Sequence, residues 1–221
     1  MTGMKGDRAR PAGNVSLPQL SDFDAGRLEK GHDYDAIAFT DRDFTGQDAS
    51  DARFLECRLD RCRVDGLTMR RARIVDCWIA DANGASVDLA DSTWRDSQMT
   101  GGRLGAAILA GAKWNGIQLR GVKLGYLSLA GARLADVVFE DCEIGSLDAS
   151  SAQLRSVAFV GCSVQELNVL EATLSKVDLS RSALRSLVGV DSLRGAILSS
   201  EQLIDLAPML AAQLGIEVRP D

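Results

Sequence analysis

Apolar residues recur at every fifth position from Tyr34 to Leu184 without a break in phase. The series begins Tyr34, Phe39, Phe44, Ala49, Phe54, Leu59 and continues through Trp94, Trp114, Phe139 and Phe159 to Leu184; of its 31 members none is charged and 28 are bulky and apolar. A period of five matches neither the 3.6 of a helix nor the 2.0 of a strand, so the chain is a repeat architecture. A second series lies two residues before each core position and is small or apolar from Ala52 onward: Ala52, Cys57, Cys62, Leu67, Ala72, Cys77. Two inward and three outward positions per unit are too few for a helix. They suffice for one short strand and a turn.

In the later part of the second series Leu, Ala, Val and Cys or Ser recur in order every four units, as in Leu127, Ala132, Val137, Cys142 and again Leu147, Ala152, Val157, Cys162. The physical repeat is therefore twenty residues, with four sides per coil. Layers of parallel strands about 4.8 Å apart, in roughly 7.5 coils, predict a rod of roughly 35–40 Å.

Ala52-Arg53-Phe54, Ala72-Arg73-Ile74, Ala112-Lys113-Trp114, Ala132-Arg133-Leu134 and Val177-Asp178-Leu179 fit a unit reading Ala-Asp/Asn-Leu-X-X. In these units the chain resembles the pentapeptide-repeat family over most of its length. That resemblance implies an all-β fold, a right-handed quadrilateral parallel β-helix, closed by a short C-terminal helical cap.

The predicted organisation is a disordered basic tail over 1–20, with Lys5, Arg8 and Arg10, then an N-terminal cap segment over 21–33 with Phe23 and Leu28 as anchors. The repeat column follows over 34–187 and a C-terminal helical cap over 188–221. Unpaired strand edges invite association, so both ends of the column need cover. Ser199 and Gln202 have the spacing of a capping box and Gly215 is a natural helix stop. Pro208 would kink the helix or open a second one. Leu203, Leu206 and Leu210 form an apolar face broad enough to serve also as a homodimer interface, as C-terminal segments do in family members of this size. No apolar run approaches the roughly 18 residues of a membrane span, and no signal pattern opens the chain, so a bacterial cytoplasmic location is expected.

Catalytic and metal-binding patterns are not found. Cys57, Cys62, Cys77, Cys142 and Cys162 all fall in the second inward series, as small core residues do. Cys57 and Cys77, like Cys142 and Cys162, stand one coil apart, but there is no CxxC and the single histidine, His32, lies outside the clean repeat. Gly46, Gly66, Gly101, Gly111, Gly116, Gly121, Gly131 and Gly161 all sit two after a core position, where they serve turns rather than phosphates. No cofactor, metal or enzymatic activity is expected.

Function is thereby left to the surface. The net charge of −6 conceals axial bands: acidic over 33–52, arginine-rich over 53–73, acidic over 76–96, basic without any acid over 101–135, and acidic again over 136–178. Twenty-residue spacing sets Glu56, Asp76, Asp96 and Asp136 in one row and Arg53, Arg73, Lys113 and Arg133 in another. Stacked like charges repel, so neighbouring rows of opposite sign are expected to compensate. Trp78, one before a core position, is expected to face solvent and is the best single aromatic candidate for a partner contact.

Two readings follow. In the first, the acidic row and the acidic region 136–178 are offered to a basic groove. Quinolone-resistance members of the family are dimeric acidic rods that resemble duplex DNA and occupy the DNA-binding saddle of type II topoisomerases, which implies a DNA mimic that modulates or protects gyrase. The unbroken phase is similar to the loop-free mycobacterial type, whereas the basic band at 101–135 departs from a continuous mimic. In the second, the chain is a structural scaffold or regulator for another protein. Direct nucleic-acid binding is disfavoured, because acidic coils hem in the arginines of 53–73.

Overall fold

The computed structural model describes residues 15–213 and 215–218. Within the column parallel strands pair with a register of twenty, apart from an irregularity at Val160–Arg181: Arg53 opposite Arg73, Lys113 opposite Arg133, Leu124 opposite Ile144, Phe139 opposite Phe159. Each coil lies on the one before it, and one continuous hydrophobic core fills the column. Of the 31 five-spaced positions only Gly84 and Leu184 are not buried. The expected division at residue 20 falls partly on 1–14, which lie outside the described residues.

The four sides of a coil are numbered here from Tyr34. The first carries the core residues Tyr34, Phe54, Ile74, Trp94, Trp114, Leu134, Leu154 and Leu174; the second begins at Phe39, the third at Phe44 and the fourth at Ala49. Corners lie two after each core residue. On the first, second and fourth sides the corner residue takes a left-handed conformation even when it is not glycine, as at Glu56 (φ 53), Asp81 (φ 50) and Asp91 (φ 58). Asp tolerates that region better than most side chains, so corner geometry alone accounts for much of the acid in these rows.

The third side turns differently. From Ser86 onward its corner residues, Ser86, Ala106, Tyr126, Ser146 and Glu166, have no positive φ. Gly105, Gly125 and Gly145 stand one position earlier, where an added Cβ would come within 2.4–2.5 Å of the carbonyl oxygen one coil below. Here glycine is required by close stacking rather than by a left-handed turn.

Both ends are covered. Ser21–Asp22 adds a strand beside Ile37 and Ala38, and Phe23 packs on Phe39 (4.7 Å between ring centres), with Tyr34 and Phe44 at 6.0 Å. Phe23 and Leu28 are both buried, and Arg42 donates a hydrogen bond to the Phe23 carbonyl. At the other end a 3-10 turn, Val190–Leu193, leads into a short strand at Ala196–Ile197 and a single helix, Ser200–Gln213, that contains Pro208 without dividing. Gln202 N–H donates to Ser199 Oγ (3.1 Å) and Ser199 N–H to Gln202 Oε1 (2.9 Å), which is the reciprocal capping box. Gly215, at φ 69, donates to the Ala212 carbonyl and Ile216 to the Ala211 carbonyl, the paired bonds of a Schellman stop.

Candidate functional site: charged rows on the column

The axial bands form ladders between consecutive coils. Arg61 pairs with Asp41 (2.8 Å), Arg71 with Asp51 (2.7 Å), Arg120 with Glu140 (3.0 Å) and Lys123 with Glu143 (2.9 Å), each joining residues twenty apart. Hydrogen bonds from Arg61 and Arg71 hold the Asp41 and Asp51 carboxyls below the usual carboxylate range. Asp43 and Asp48 are lowered by Thr45 and Ser50, which lie two residues on. Compensation therefore runs along the axis, within a row, as well as sideways between neighbouring rows as expected, at Arg58–Asp60, Arg63–Asp65 and Arg70–Asp88.

The acidic row occupies the corner after the first side. Glu56, Asp76, Asp96 and Asp136 have φ of 53, 52, 46 and 55 and are half-buried or exposed. Asp96 lies 4.0 Å from Arg95 and Asp136 lies 3.7 Å from Arg155; neither Glu56 nor Asp76 has a cation within 4 Å among the described residues. The row is broken at Gly116. The acids of 136–178 do not form one face. Asp136, Glu140, Glu143 and Asp148 fall on successive sides, so this band encircles the rod.

Trp78 corrects an expectation. It is half-buried, the Arg58 guanidinium lies over its ring at 4.8 Å, and its Nε1–H donates to Thr100 Oγ1 at 3.0 Å. The signal was present in the register, because Arg58 and Thr100 lie one coil below and one above. The C-terminal leucines divide. Leu206 is buried against the column and Leu210 packs beside it, so both belong to the cap, whereas Leu203 is 53% exposed and Ile204 72%.

All five cysteines are buried and free. Cys57 N–H donates to Cys77 Sγ, and Cys77 N–H to Ser97 Oγ, so this inward row satisfies backbone groups between coils. The Cys57 thiol beside it, together with burial, pushes the Cys77 thiol up. His32 sits in the N-terminal cap, its ring 4.7 Å from that of Tyr34. Among the described residues no group of three His, Cys, Asp or Glu side chains could hold a metal, and no helix is long and apolar enough to cross a membrane.

Five-residue phase, four sides and a twenty-residue register together define a pentapeptide-repeat β-solenoid with one short C-terminal helix. No protein-family model and no curated protein matches the chain. Solved structures do match. HetL, a pentapeptide-repeat protein involved in heterocyst differentiation regulation from the cyanobacterium Nostoc, is 19% identical with a TM-score of 0.43, over 79% of this chain and 92% of its own. A trypsin-treated variant of QnrB1, a plasmid-mediated fluoroquinolone resistance protein, is 20% identical with a TM-score of 0.33, over 90% of this chain and 95% of its own. At these values nothing about the chemistry of the present chain follows from either.

Proposed function

We propose that the protein is a non-catalytic interaction rod that binds a basic protein groove through its acidic corner row, with a DNA-handling enzyme such as gyrase as the partner and modulation or quinolone protection as the outcome. One observation carries this reading. Glu56, Asp76 and Asp96 succeed one another coil by coil along a single corner, and Glu56 and Asp76 have no ion-pair partner among the described residues. Unneutralised carboxylates in a straight line suit a surface that otherwise receives phosphates, and their attraction reaches about 8 Å at physiological ionic strength. The test is a gyrase supercoiling assay with and without a quinolone. Asp76→Asn/Asp96→Asn/Asp136→Asn should lose inhibition or protection at an unchanged melting temperature. An effect as strong as the parent's, or none from either protein, removes the DNA-mimic reading.

The second reading, a scaffold or regulator with a different protein partner, is favoured by the ladders themselves. Asp41–Arg61, Asp51–Arg71, Arg120–Glu140 and Lys123–Glu143 commit part of the banded charge to holding coils in register. In either case we propose a homodimer through the outward face of the C-terminal helix, where Leu203 and Ile204 are exposed beside Ile197. A two-fold contact uses the same patch from both chains. Leu203→Glu should therefore convert dimer to monomer in light scattering. A parent already monomeric at high micromolar concentration leaves the helix as a cap alone.

A further inference from the structure

The first side of the column carries cations that the ladders do not neutralise. One position before its core residues the row reads Asp33, Arg53, Arg73, Thr93, Lys113, Arg133, Gln153, Thr173, each in register with the next. One position after them it reads Leu55, Val75, Arg95, Asn115, Ala135, Arg155. Between residues 53 and 175 neither row contains an acid. Arg53, Arg73, Lys113 and Arg133 are exposed, and no carboxylate lies within 4 Å of any of them among the described residues. Arg95 and Arg155 are held only loosely, by corner carboxylates at 4.0 and 3.7 Å. A row built for register alone would place an acid above or below each cation, as Lys123–Glu143 does on the third side. Stacking Arg53 on Arg73 and Lys113 on Arg133 does the opposite and is unfavourable for the isolated column.

We propose that this side is a docking site for an acidic segment of a partner protein, laid along the axis of the rod. It is a separate surface from the acidic corner row, with a partner of opposite charge. The side is open as a trough of ≈ 540 Å³ between Thr93 and Ser175, with Arg95, Lys113, Arg133 and Arg155 among its walls and Asn115 and Gln153 able to hydrogen-bond a peptide. Lys113 and Arg133 line the trough and Arg73 and Arg53 continue their row below it, so the four cations span four coil steps, about 19 Å, which matches about six residues of an extended chain.

The shape of the site selects that occupant. Carboxylates stand on both neighbouring corners toward the two ends of the trough, Asp76, Asp96 and Asp136 on one, interrupted at Gly116, and Asp91 and Glu171 on the other, where Gly111, Gly131 and Ser151 lie between them and Asp51 is paired with Arg71. A nucleic-acid duplex, wider than one side of the coil, would set phosphates against these rims. A single chain stays between them. The trough also lacks a stacking platform for bases, because Trp94 and Trp114 beneath it are 7% and 4% exposed. Carboxylates on a peptide are thus favoured over a single-stranded nucleic acid.

The net charge of −6 makes the claim testable, since the protein's overall charge repels an acidic ligand and binding then requires a local cationic site. The probe is a fluorescein-labelled ten-residue peptide of alternating Glu and Ser, titrated by anisotropy with the full chain at low and physiological salt. The parent should bind, more weakly as salt rises. Lys113→Gln/Arg133→Gln should weaken binding at least tenfold, while Arg103→Gln/Lys123→Gln, with the same change of net charge on the third side, should alter it less than twofold. Asp76→Asn/Asp96→Asn/Asp136→Asn should leave binding intact or tighten it, which separates this site from the acidic-row reading. Absence of peptide binding at low salt, equal losses from the two cation pairs, or tighter binding of oligothymidylate of the same charge would each overturn the proposal. Circular dichroism melts of every variant exclude loss of folding as the cause.

Discussion

The first and third sides of the column face opposite ways and use the same repeat positions for different ends. One residue before the core, both carry Arg and Lys. On the third side Lys123 lies 2.9 Å from Glu143 on the next coil and Arg63 lies 3.2 Å from Asp65, although Arg103, stacked between Asn83 and Lys123, has no carboxylate within 4 Å among the described residues. On the first side Lys113 stacks on Arg133 and Arg53 on Arg73, with no carboxylate within 4 Å of any of the four among the described residues, although Asp33 lies in register below Arg53. One residue after the core, the third side has Gly105, Gly125 and Gly145 pressed on the coil below, whereas the first has Asn115, Ala135 and Arg155 around an open trough. From Gly105 onward the third side is thus committed to coil-to-coil cohesion, its own groove of ≈ 620 Å³ lying lower, among Arg61, Arg63, Asn83 and Arg103, whereas the first side keeps charge and space between Thr93 and Ser175. In a solenoid whose core rule is the same on every side, departures from ladder compensation mark the surface available to a partner.

The largest expected effect strikes both sides together, because they share one core. Phe139 is fully buried and stacks on Phe159 at 4.6 Å with rings almost parallel (1°). Phe139→Asp buries a carboxylate without a partner, which costs several kcal/mol, comparable with the whole stability of a typical domain. Cooperative thermal unfolding should vanish or fall by tens of degrees; a melt within a degree or two of the parent would mean that the core phase is misassigned.

A smaller effect separates the sides. Gly125→Ala places a Cβ 2.5 Å from the Gly105 carbonyl oxygen, which the coil can relieve only by moving apart. About 1–3 kcal/mol should be lost in chemical denaturation, while Asn115→Ala at the equivalent position of the first side should stay within about 0.5 kcal/mol. Equal losses would show that the third side is not the more tightly stacked.

The first side also contains an unmet hydrogen bond. Trp94 Nε1–H donates to Ser92 Oγ at 3.0 Å, but one coil later Ala112 stands where Ser92 does, and Trp114 Nε1 is buried without a partner. Ala112→Ser should restore the bond and add about 1 kcal/mol of stability. No gain, with Trp114 fluorescence unchanged, would mean that this nitrogen is already satisfied by water.

How far the molecule was legible in its sequence depends on what each residue touches. The five-residue phase names core positions because burial admits no charge, and outside it Phe23 and Leu28 as apolar anchors, the Ser199–Gln202 capping box and the Gly215 stop were legible for equally local reasons. Rows of charge were legible too, since a register of twenty stacks Glu56, Asp76 and Asp96. What each charge pairs with was not, because long side chains choose between a neighbour in the row and one across it. Hence Arg61 reached along the axis to Asp41, Trp78 was covered by Arg58, and Leu206 turned inward while Leu203 did not. The glycine column of the third side was visible as Gly105, Gly125 and Gly145, but its reason, contact with a carbonyl below, needed coordinates.

Acid should weaken the ladders with a defined sign. The Asp41 and Asp51 carboxyls are depressed in the fold chiefly by hydrogen bonds from Arg61 and Arg71. A depressed pKa contributes stability that is present above the unfolded value of about 3.9 and lost as pH falls through the folded values. The melting temperature should drop on acidification from about pH 6 to about pH 2, and the drop should be smaller in Arg61→Gln/Arg71→Gln. An identical drop in that variant would assign the effect to other carboxylates.

The central contrast, an opposite-charge step at Lys123–Glu143 on the third side and a like-charge step at Lys113–Arg133 on the first, is tested most directly by two double-mutant cycles measured in parallel by chemical denaturation. Alanine replacements at Lys123 and Glu143 should reveal a stabilising coupling of about 0.2–1 kcal/mol. The same cycle at Lys113 and Arg133 should give a coupling of opposite sign, because each removal there relieves repulsion. A stabilising coupling in both cycles, or none between Lys123 and Glu143, would contradict the account.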